Sequence, residues 1–401
     1  MRKSFTILTA ILVCALTVWA GTSRTETSAT QLGAPAAMSV VELNQRIAEA
    51  RQLLQADATI SRDSVRLAAL DSTSGELTTI PLSKDEFLTK NADIEATTGA
   101  GDRVRVRIVR ANGVNTAVTI NAAATDESLL PLVVQFPIVR NGAITEVAYY
   151  TSVHPALLSS ELTSNGQSYI RTMLDQAAAN LAAQGVTIPS DIVDIAEHLC
   201  IVEHTDHKRF RTEDAADLFP EILSLYALNQ GNTFRYSVST AGAGGMIQMI
   251  PKTYEAIRQS HPNAALNSDF VTGMRDHSNA LKAMLLYMND TWNGLANSSE
   301  VQNAMNSGIA TKPELLAAGY NSNPRRLPGY LKEGGSGWRS LIPAETQMYL
   351  AIYGSVDKNL ELTSASATAG QSAGLALSVE GPKPFPILSW LRTSLVSAMF
   401  R

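Results

Sequence analysis

The sequence predicts an α+β chain in which a β-rich segment precedes a mainly helical one. Three observations carry this. Residues 103–108, RVRVRI, alternate strictly between arginine and aliphatic side chains, the period of a strand with one face in the core. Two Asn-Gly pairs, Asn112-Gly113 and Asn141-Gly142, each separate two apolar runs, which is the signal of a type I′ hairpin. From about residue 160 to 354 the apolar spacing changes to that of helices.

The 401 residues allow two or three domains, with 45% hydrophobic and 17% charged residues, the balance of a chain with a core. A formal net charge of -5 without a lysine-rich run argues against a nucleic-acid partner. At the start, Arg2 and Lys3 precede an apolar run from Phe5 to Trp19, and Val18-Trp19-Ala20 fits the small-x-small cleavage pattern. Residues 1–20 therefore read as a signal peptide, and the protein is expected to be exported to the periplasm or cell envelope. Cys14 suggests a lipoprotein site as the alternative, but Val13 before it is not small. Cleavage after Ala20 removes Arg2 and Lys3, taking the formal charge from -5 to -7, and leaves Cys200 as the single cysteine. With no internal disulfide available, a sizeable core must stabilise the exported chain.

The elements follow in order. Residues 21–38 are rich in Thr, Ser and Ala and read as a linker. At 39–57 a helix is expected: Ser39 with Glu42 forms a capping box, and Val40, Leu43, Ile47, Ala50 and Leu54 make one apolar stripe. The β-rich accessory domain spans 58–158, with hairpins at 103–120 and 132–150. The arginines of 103–107 line one strand face, solvated or wall-binding. A helical domain is expected over 159–360, with helices from Ser159 to Ala183 and from Ser190 to Glu203, and a later one boxed by Thr311 and Glu314. Residues 361–382 form a second linker. Residues 383–401 carry an amphipathic segment that docks on the body or touches a membrane surface.

The chemistry concentrates in 197-EHLCIVEHTDH-207. With Glu203 at zero on a helical projection, Leu199 falls at roughly −40°, Ala196 at roughly +20° and Ile192 at roughly −20°. Glu203 thus ends an apolar stripe, where its charged form is disfavoured and its pKa should rise, as a general acid requires. Glu197 lies at roughly 120° and His198 at roughly −140°, off that stripe. A metal site is the competing reading. His204 and His207 could share an ion, but neither CxxC nor HExxH is present and a site needs three or four ligands. No metal or other cofactor is expected. Downstream, 239-STAGAGGMIQMIPKTY-254 is glycine-rich, suited to close backbone approach, and lacks the GK[ST] of a phosphate loop.

This order of motifs resembles the bacterial lytic transglycosylases with a soluble-lytic-transglycosylase, goose-lysozyme-like domain. Their Glu-Ser pair at the end of an apolar helix corresponds to Glu203-His204. Their Ser-x-x-Gly-Ala-x-Gly-Leu-Met-Gln-x-Met-Pro-x-Thr motif is followed by Ser239, Gly242, Ala243, Gly245, Met246, Ile247, Gln248, Ile250, Pro251 and Thr253. Tyr320-Asn321 in 317-AAGYNSNPRRLPGYL-331 stands for their Ala-Tyr-Asn motif, and Glu345, Thr346 and Tyr349 for their closing Glu-Thr-x-x-Tyr. The segment 276-DHSNALKAMLLYMND-290 resembles their substrate-lining helix. The resemblance covers about 185–355. It departs in two places: His204 replaces the serine, and 205–232 is an insertion between the first two motifs, read as a helical piece beginning near Phe219-Pro220 that packs and forms one cleft wall.

The resemblance implies a lysozyme-like catalytic domain that cleaves the β-1,4 bond from N-acetylmuramic acid to N-acetylglucosamine in peptidoglycan, leaving 1,6-anhydro ends. Glu203 is then the acid and afterwards the base. Tyr320 orients it, Gln248 and Asn321 bind the sugars, and Ser239 bonds near the N-acetyl group or Glu203. Gly245 shapes the substrate loop, Met246 and Ile247 line the cleft or the core, and Glu345, Thr346 and Tyr349 are structural. The alternatives are a lysozyme-like hydrolase using Asp206, Glu213, Asp214 or Asp217 as second carboxylate, a non-catalytic wall-binding protein, and a zinc enzyme built on His204 and His207.

Overall fold

A computed structural model describes residues 38–56 and 60–360. The leader at 1–20, the linkers apart from Met38, and the C-terminal segment lie outside the described residues. The architecture is α+β, a β-rich part followed by a helical part, and both belong to one compact unit beginning at Val40.

Helix α1 (Val40–Ala56) buries Val40, Leu43, Ile47, Ala50 and Leu54, the stripe that the sequence spacing marks. The sheet contains β1 (Ser64–Asp71), β2 (Leu77–Ser83), β3 (Asp93–Thr97), β4 (Arg103–Arg110), β5 (Ala117–Ala122), β6 (Ser128–Arg140) and β7 (Ala143–Tyr150), with the short α2 (Lys84–Phe87) between β2 and β3. The spatial order is β2-β1-β6-β5-β4-β3, all antiparallel, with β7 pairing the far half of β6. The Gly99 amide donates to the Thr79 carbonyl at 2.7 Å, so the segment after β3 returns to β2 and the sheet curls towards closure. In β4, Val104, Val106 and Ile108 are buried while Arg103, Arg105 and Arg107 are exposed, with Arg103 paired to Glu95; the arginine face is solvated.

The two Asn-Gly pairs behave differently. Asn141 and Gly142 have φ of 51° and 77°, the left-handed pair of a type I′ turn joining β6 to β7. Gly113 also has positive φ, but Asn112 lies at φ −154° and residues Gly113–Asn115 form a 3-10 turn. The β4–β5 hairpin is present, but its loop is longer than the two residues expected. Thr116 holds it: its hydroxyl accepts from the Asn112 amide at 2.9 Å and donates to the Gly113 carbonyl at 2.8 Å.

The helical part begins with α3 (Ser160–Ala183), capped by Ser159, and α4 (Ser190–Val202). The insertion forms α5 (His207–Phe210) and α6 (Ala215–Asn229). Its main helix is capped by Asp214, so Pro220 sits inside it rather than near its start as expected. Then come α7 (Pro251–Ser260), α8 (Phe270–Arg275), α9 (His277–Leu295), α10 (Ser299–Asn306), α11 (Lys312–Asn321), α12 (Leu327–Gly334) and α13 (Ala344–Asn359). Thr311 and Glu314 make the expected capping box of α11. The main core gathers α3, α4, α6, α9 and α13; a second one surrounds the fully buried Trp338 between α10, α11 and α12. Among the described residues no helix is long and apolar enough to cross a membrane.

Polar ties join the two parts. The Asn229 side chain accepts from the Thr151 amide and donates to its carbonyl, both at 2.8 Å. Glu146 of β7 accepts from Tyr236 at 2.7 Å, Arg275 at 3.0 Å and Arg235 at 3.3 Å. Leu225 of α6 packs into the β core. The insertion is thus anchored on both sides, and its contact with α3 is close: a Cβ at Gly166 would stand 1.8 Å from the Leu223 carbonyl oxygen. Backbone cannot yield there as a flexible side chain can. Gly166→Ala should therefore lower stability by about 3 kcal/mol or more in urea unfolding; a loss under about 1 kcal/mol would mean that α3 and α6 do not meet at this point.

Candidate active site

Helix α4 has the sequence SDIVDIAEHLCIV, and ten of its thirteen residues are buried. It runs among α3, α6, α9, α11 and α13 with almost no solvated face, a position only a helix apolar nearly all round can hold. The exceptions are handled individually. Glu197, 1% exposed, receives Arg171 at 3.3 Å and Gln167 at 3.1 Å; Arg171 also binds Asp194 and Asp175. Glu197 is therefore an ion-paired structural carboxylate. His198 is 3% exposed, edge-on to Tyr353, and burial lowers its pKa. Both lie off the apolar stripe of the helical projection and are buried all the same, because α4 has almost no solvated face.

Glu203 caps the C-terminus of α4, its amide bonded to the Leu199 carbonyl at 3.0 Å. Its side chain is partly exposed, opening on a cavity of about 290 Å³. Oε1 accepts from the Tyr349 hydroxyl of α13 at 2.6 Å. Burial pushes the Glu203 pKa up to about 8; the Tyr349 bond pulls it down and the charge of Glu345 adds to the rise. Tyr349 and Tyr320 are both raised well above the usual phenol value, chiefly by burial, so both remain hydroxyl donors. The orienting hydroxyl is Tyr349, not Tyr320. Tyr320, at the end of α11, donates instead to the Ile247 carbonyl at 2.8 Å and packs edge-on against Tyr287.

The neighbouring His204 has a different task. Its ring lies flat on Phe234, with centroids 3.4 Å apart and planes 4° from parallel. Nε2 is 3.0 Å from the Met246 carbonyl, which can only accept, so Nε2 carries the proton. Burial lowers its pKa to about 3, keeping the ring neutral. His204 thereby ties the end of α4 to the loop 237–250. His207 lies apart on α5, and among the described residues no group of three or more His, Cys, Asp or Glu is placed to hold a metal.

That loop is folded on itself. Ser239 accepts from the Ala243 amide at 3.0 Å, closing a small turn, and Gly245 has φ of +69°. A Cβ at Gly245 would stand 2.2 Å from the Met274 carbonyl oxygen, so glycine permits the approach to α8. Met246 is fully buried in the core. Gln248 takes a left-handed backbone, φ 46°, and its Nε2 donates to the Gly245 carbonyl at 2.8 Å and to Ser237 at 3.3 Å. With Nε2 so engaged, Oε1 is the group left to meet a ligand.

Of the residues assigned to the substrate by their motifs, Gln248 lines the cavity beside Glu203. Ser239, Gly245 and Met246 build the loop behind it, and Tyr320 of α11 holds that loop through the Ile247 carbonyl. Asn321 does not line the cavity; its Oδ1 accepts from Thr346 at 2.8 Å and joins α11 to α13. The insertion supplies a wall through Arg209, Leu218, Glu221, Ile222 and Leu225, as expected. Arg209 bonds Glu221 at 2.7 and 3.0 Å and Glu213 at 2.6 Å. Among the acids proposed for water activation, Asp206 lines the cavity. Its pKa is held down by the Arg209 and Lys208 amides that it caps. Glu213 is spent on Arg209, Asp214 caps α6, and Asp217 is exposed. Sequence reasoning missed the wall from the β-rich part: Arg110, Asn112 and Asn115 also face this cavity. Nothing in their local pattern distinguishes them from hairpin residues.

Comparison with known protein families, characterised proteins and solved structures found no match.

The raised acid has a consequence for stability. Between the ordinary value of 4.5 and about 8, folded Glu203 keeps a proton that the unfolded chain gives up. Stability from this group is full below about pH 4.5 and is lost as pH rises through about 8. Glu203→Gln removes that loss. Its urea stability relative to wild type should improve from pH 5 to pH 8 by on the order of 2 to 4 kcal/mol. An equal difference at both pH values would show that the carboxyl is not perturbed.

Proposed function

We propose that this chain is a peptidoglycan lytic transglycosylase, with a lysozyme-like catalytic domain in its helical part. The observation that carries the reading is a single carboxyl, Glu203. It stays protonated to about pH 8, is aligned by Tyr349, and sits in a cavity shared with Gln248. A proton donor of that kind suits attack on a glycosidic oxygen, where the acid must be neutral before the bond breaks. The order of motifs supplies the substrate class.

In the proposed reaction Glu203 protonates the glycosidic oxygen as the bond to the muramic anomeric carbon breaks. The substrate's own N-acetyl oxygen covers the developing cation, so a second nucleophilic carboxylate is not required. Glu203, now ionised, takes the proton of the sugar's 6-hydroxyl, whose oxygen closes the 1,6-anhydro ring. The Tyr349 hydroxyl bonds the carboxylate in its ionised interval. Export to the envelope, proposed from the N-terminal segment, would bring the enzyme to its substrate. A second reading, hydrolysis on the same site, is favoured by one observation: Asp206 lines the cavity and its lowered pKa keeps it ionised, the form that can take a proton from water.

Digestion of purified peptidoglycan with mass spectrometry separates these readings. Anhydro ends are expected; reducing ends alone would select the hydrolase, and release of nothing would leave a binding protein. Glu203→Gln should abolish release. The rate kcat/KM should fall about tenfold per pH unit above about 8, as Glu203 loses its proton. Tyr349→Phe removes the bond that favours the ionised form, so that limb should move to higher pH while the rate drops about 10- to 100-fold. An unmoved limb would place Tyr349 outside the machinery.

A further inference from the structure

Backbone in the left-handed region is costly for any residue but glycine, most of all for a bulky one, and such strain gathers at sites that hold ligands. Phe234 and Gln248 both adopt it, with φ of 54° and 46°, and both line the cavity beside Glu203. One run of bonds joins the two. The Phe234 carbonyl accepts from the Ser237 amide at 2.9 Å, and the Ser237 hydroxyl accepts from Gln248 Nε2 at 3.3 Å. The Phe234 ring is clamped as well. His204 lies flat on it, with 3.4 Å between centroids, and Tyr226 meets it at 73° with centroids 5.3 Å apart. Phe234 packs against both the helical and the β core, yet is only partly buried. Glycine or asparagine would make this turn with less strain, so what the strained backbone maintains is the position of an aromatic ring.

The chemistry of the cavity is divided. Its apolar residues Leu218, Ile222 and Leu225 are buried, whereas the polar Asn112 and Asp206 stand exposed. An ion would meet apolar walls, and a wholly apolar guest would cover polar groups without bonding them; both cost free energy. A pyranose ring suits both halves, with C–H groups on one face and hydroxyl and amide groups around its edge. The volume, about 290 Å³, lies at the lower end of the roughly 300–1,000 Å³ of small-molecule sites, room for a ring unit rather than a long stretch of chain. We propose that Phe234, backed by His204, is the platform of the subsite next to Glu203, taking the C–H face of one pyranose ring while Gln248 meets its polar edge. Phe234 is then a specificity-determining residue, and His204 a positioning residue that fixes the plane of its ring. The inference rests on reading the cavity as a glycan site.

The test uses the full chain in the Glu203→Gln background, which stops turnover, with calorimetric binding of the N-acetylglucosamine tetrasaccharide. Phe234→Leu keeps an apolar side chain and removes the ring; it should weaken binding about tenfold. Phe234→Tyr keeps the ring and should bind within about twofold of the parent. Equal weakening in both variants would assign Phe234 to packing alone and overturn the platform. Should Phe234→Leu not fold, saturation-transfer NMR on the parent, with Phe234 in place, decides. Irradiation of the aromatic protons should reach the axial C–H protons on one face of a bound ring, and the transfer should largely vanish once the phenylalanine rings are deuterated. Transfer unchanged by deuteration would overturn the platform. Parent affinity in Phe234→Leu, with Gln248→Ala still weakening the tetrasaccharide, would overturn it too and leave the glycan reading standing. A parent protein that does not bind the tetrasaccharide would sink both.

Discussion

The contact on which the site depends is the 2.6 Å hydrogen bond from Tyr349 to Glu203, made at the end of a helix that has almost no face in water. Partial burial in that position disfavours the ionised carboxyl and raises its pKa, and the hydroxyl that bonds it is a tyrosine that remains protonated. Both conditions come from packing. α4 must be enclosed for Glu203 to be desolvated, and α13 must lie along it for Tyr349 to reach. The loop behind the site is secured in turn by His204 to the Met246 carbonyl and Tyr320 to the Ile247 carbonyl. Two adjacent residues therefore divide the work: Glu203 carries the titratable group and His204 holds the scaffold around it.

A second constraint is that the cavity has walls from both parts of the chain. The helical part contributes Glu203, His204 and Gln248, the insertion α5–α6 contributes Arg209 and Glu221, and the β4–β5 loop contributes Arg110 and Asn115. Such a site is only as well defined as the junction between its parts. That junction is dense in bonds with little freedom: the two-way Asn229–Thr151 pair and the Glu146 carboxylate shared by Tyr236, Arg275 and Arg235. The insertion, fixed to α3 through the gap at Gly166 and to the β core through Leu225, links the β-rich part to the site. The β-rich part is thus a component of the cleft as well as an accessory to it.

Legibility varied with how local each feature is. The stripe of α1, the Thr311–Glu314 box and the Asn141-Gly142 turn depend on neighbours within a few residues and were read directly. Asn112-Gly113 carries the same dipeptide, but Thr116 draws it into a 3-10 turn, a bond that dipeptide statistics do not see. The projection singled out Glu203 correctly as the carboxylate on the apolar stripe. It misjudged Glu197 and His198, because it assigns one buried face and α4 is covered on all sides. The motif order gave Tyr320 to Glu203 and made Tyr349 structural, whereas the packing of α13 brings Tyr349 to the carboxyl and turns Tyr320 to the Ile247 carbonyl.

The sequence by itself determined the division into a β-rich and a helical part, several elements with their caps, and a carboxylate at the end of an apolar helix. These follow from periodicities of two and 3.6 residues and from caps closed within one turn. Only the tertiary structure decided which tyrosine meets Glu203, that His204 is a tie rather than a ligand, and that a hairpin loop almost ninety residues earlier helps form the cavity. Those outcomes depend on which remote elements are brought together and at what angle, and no short stretch of chain carries that information.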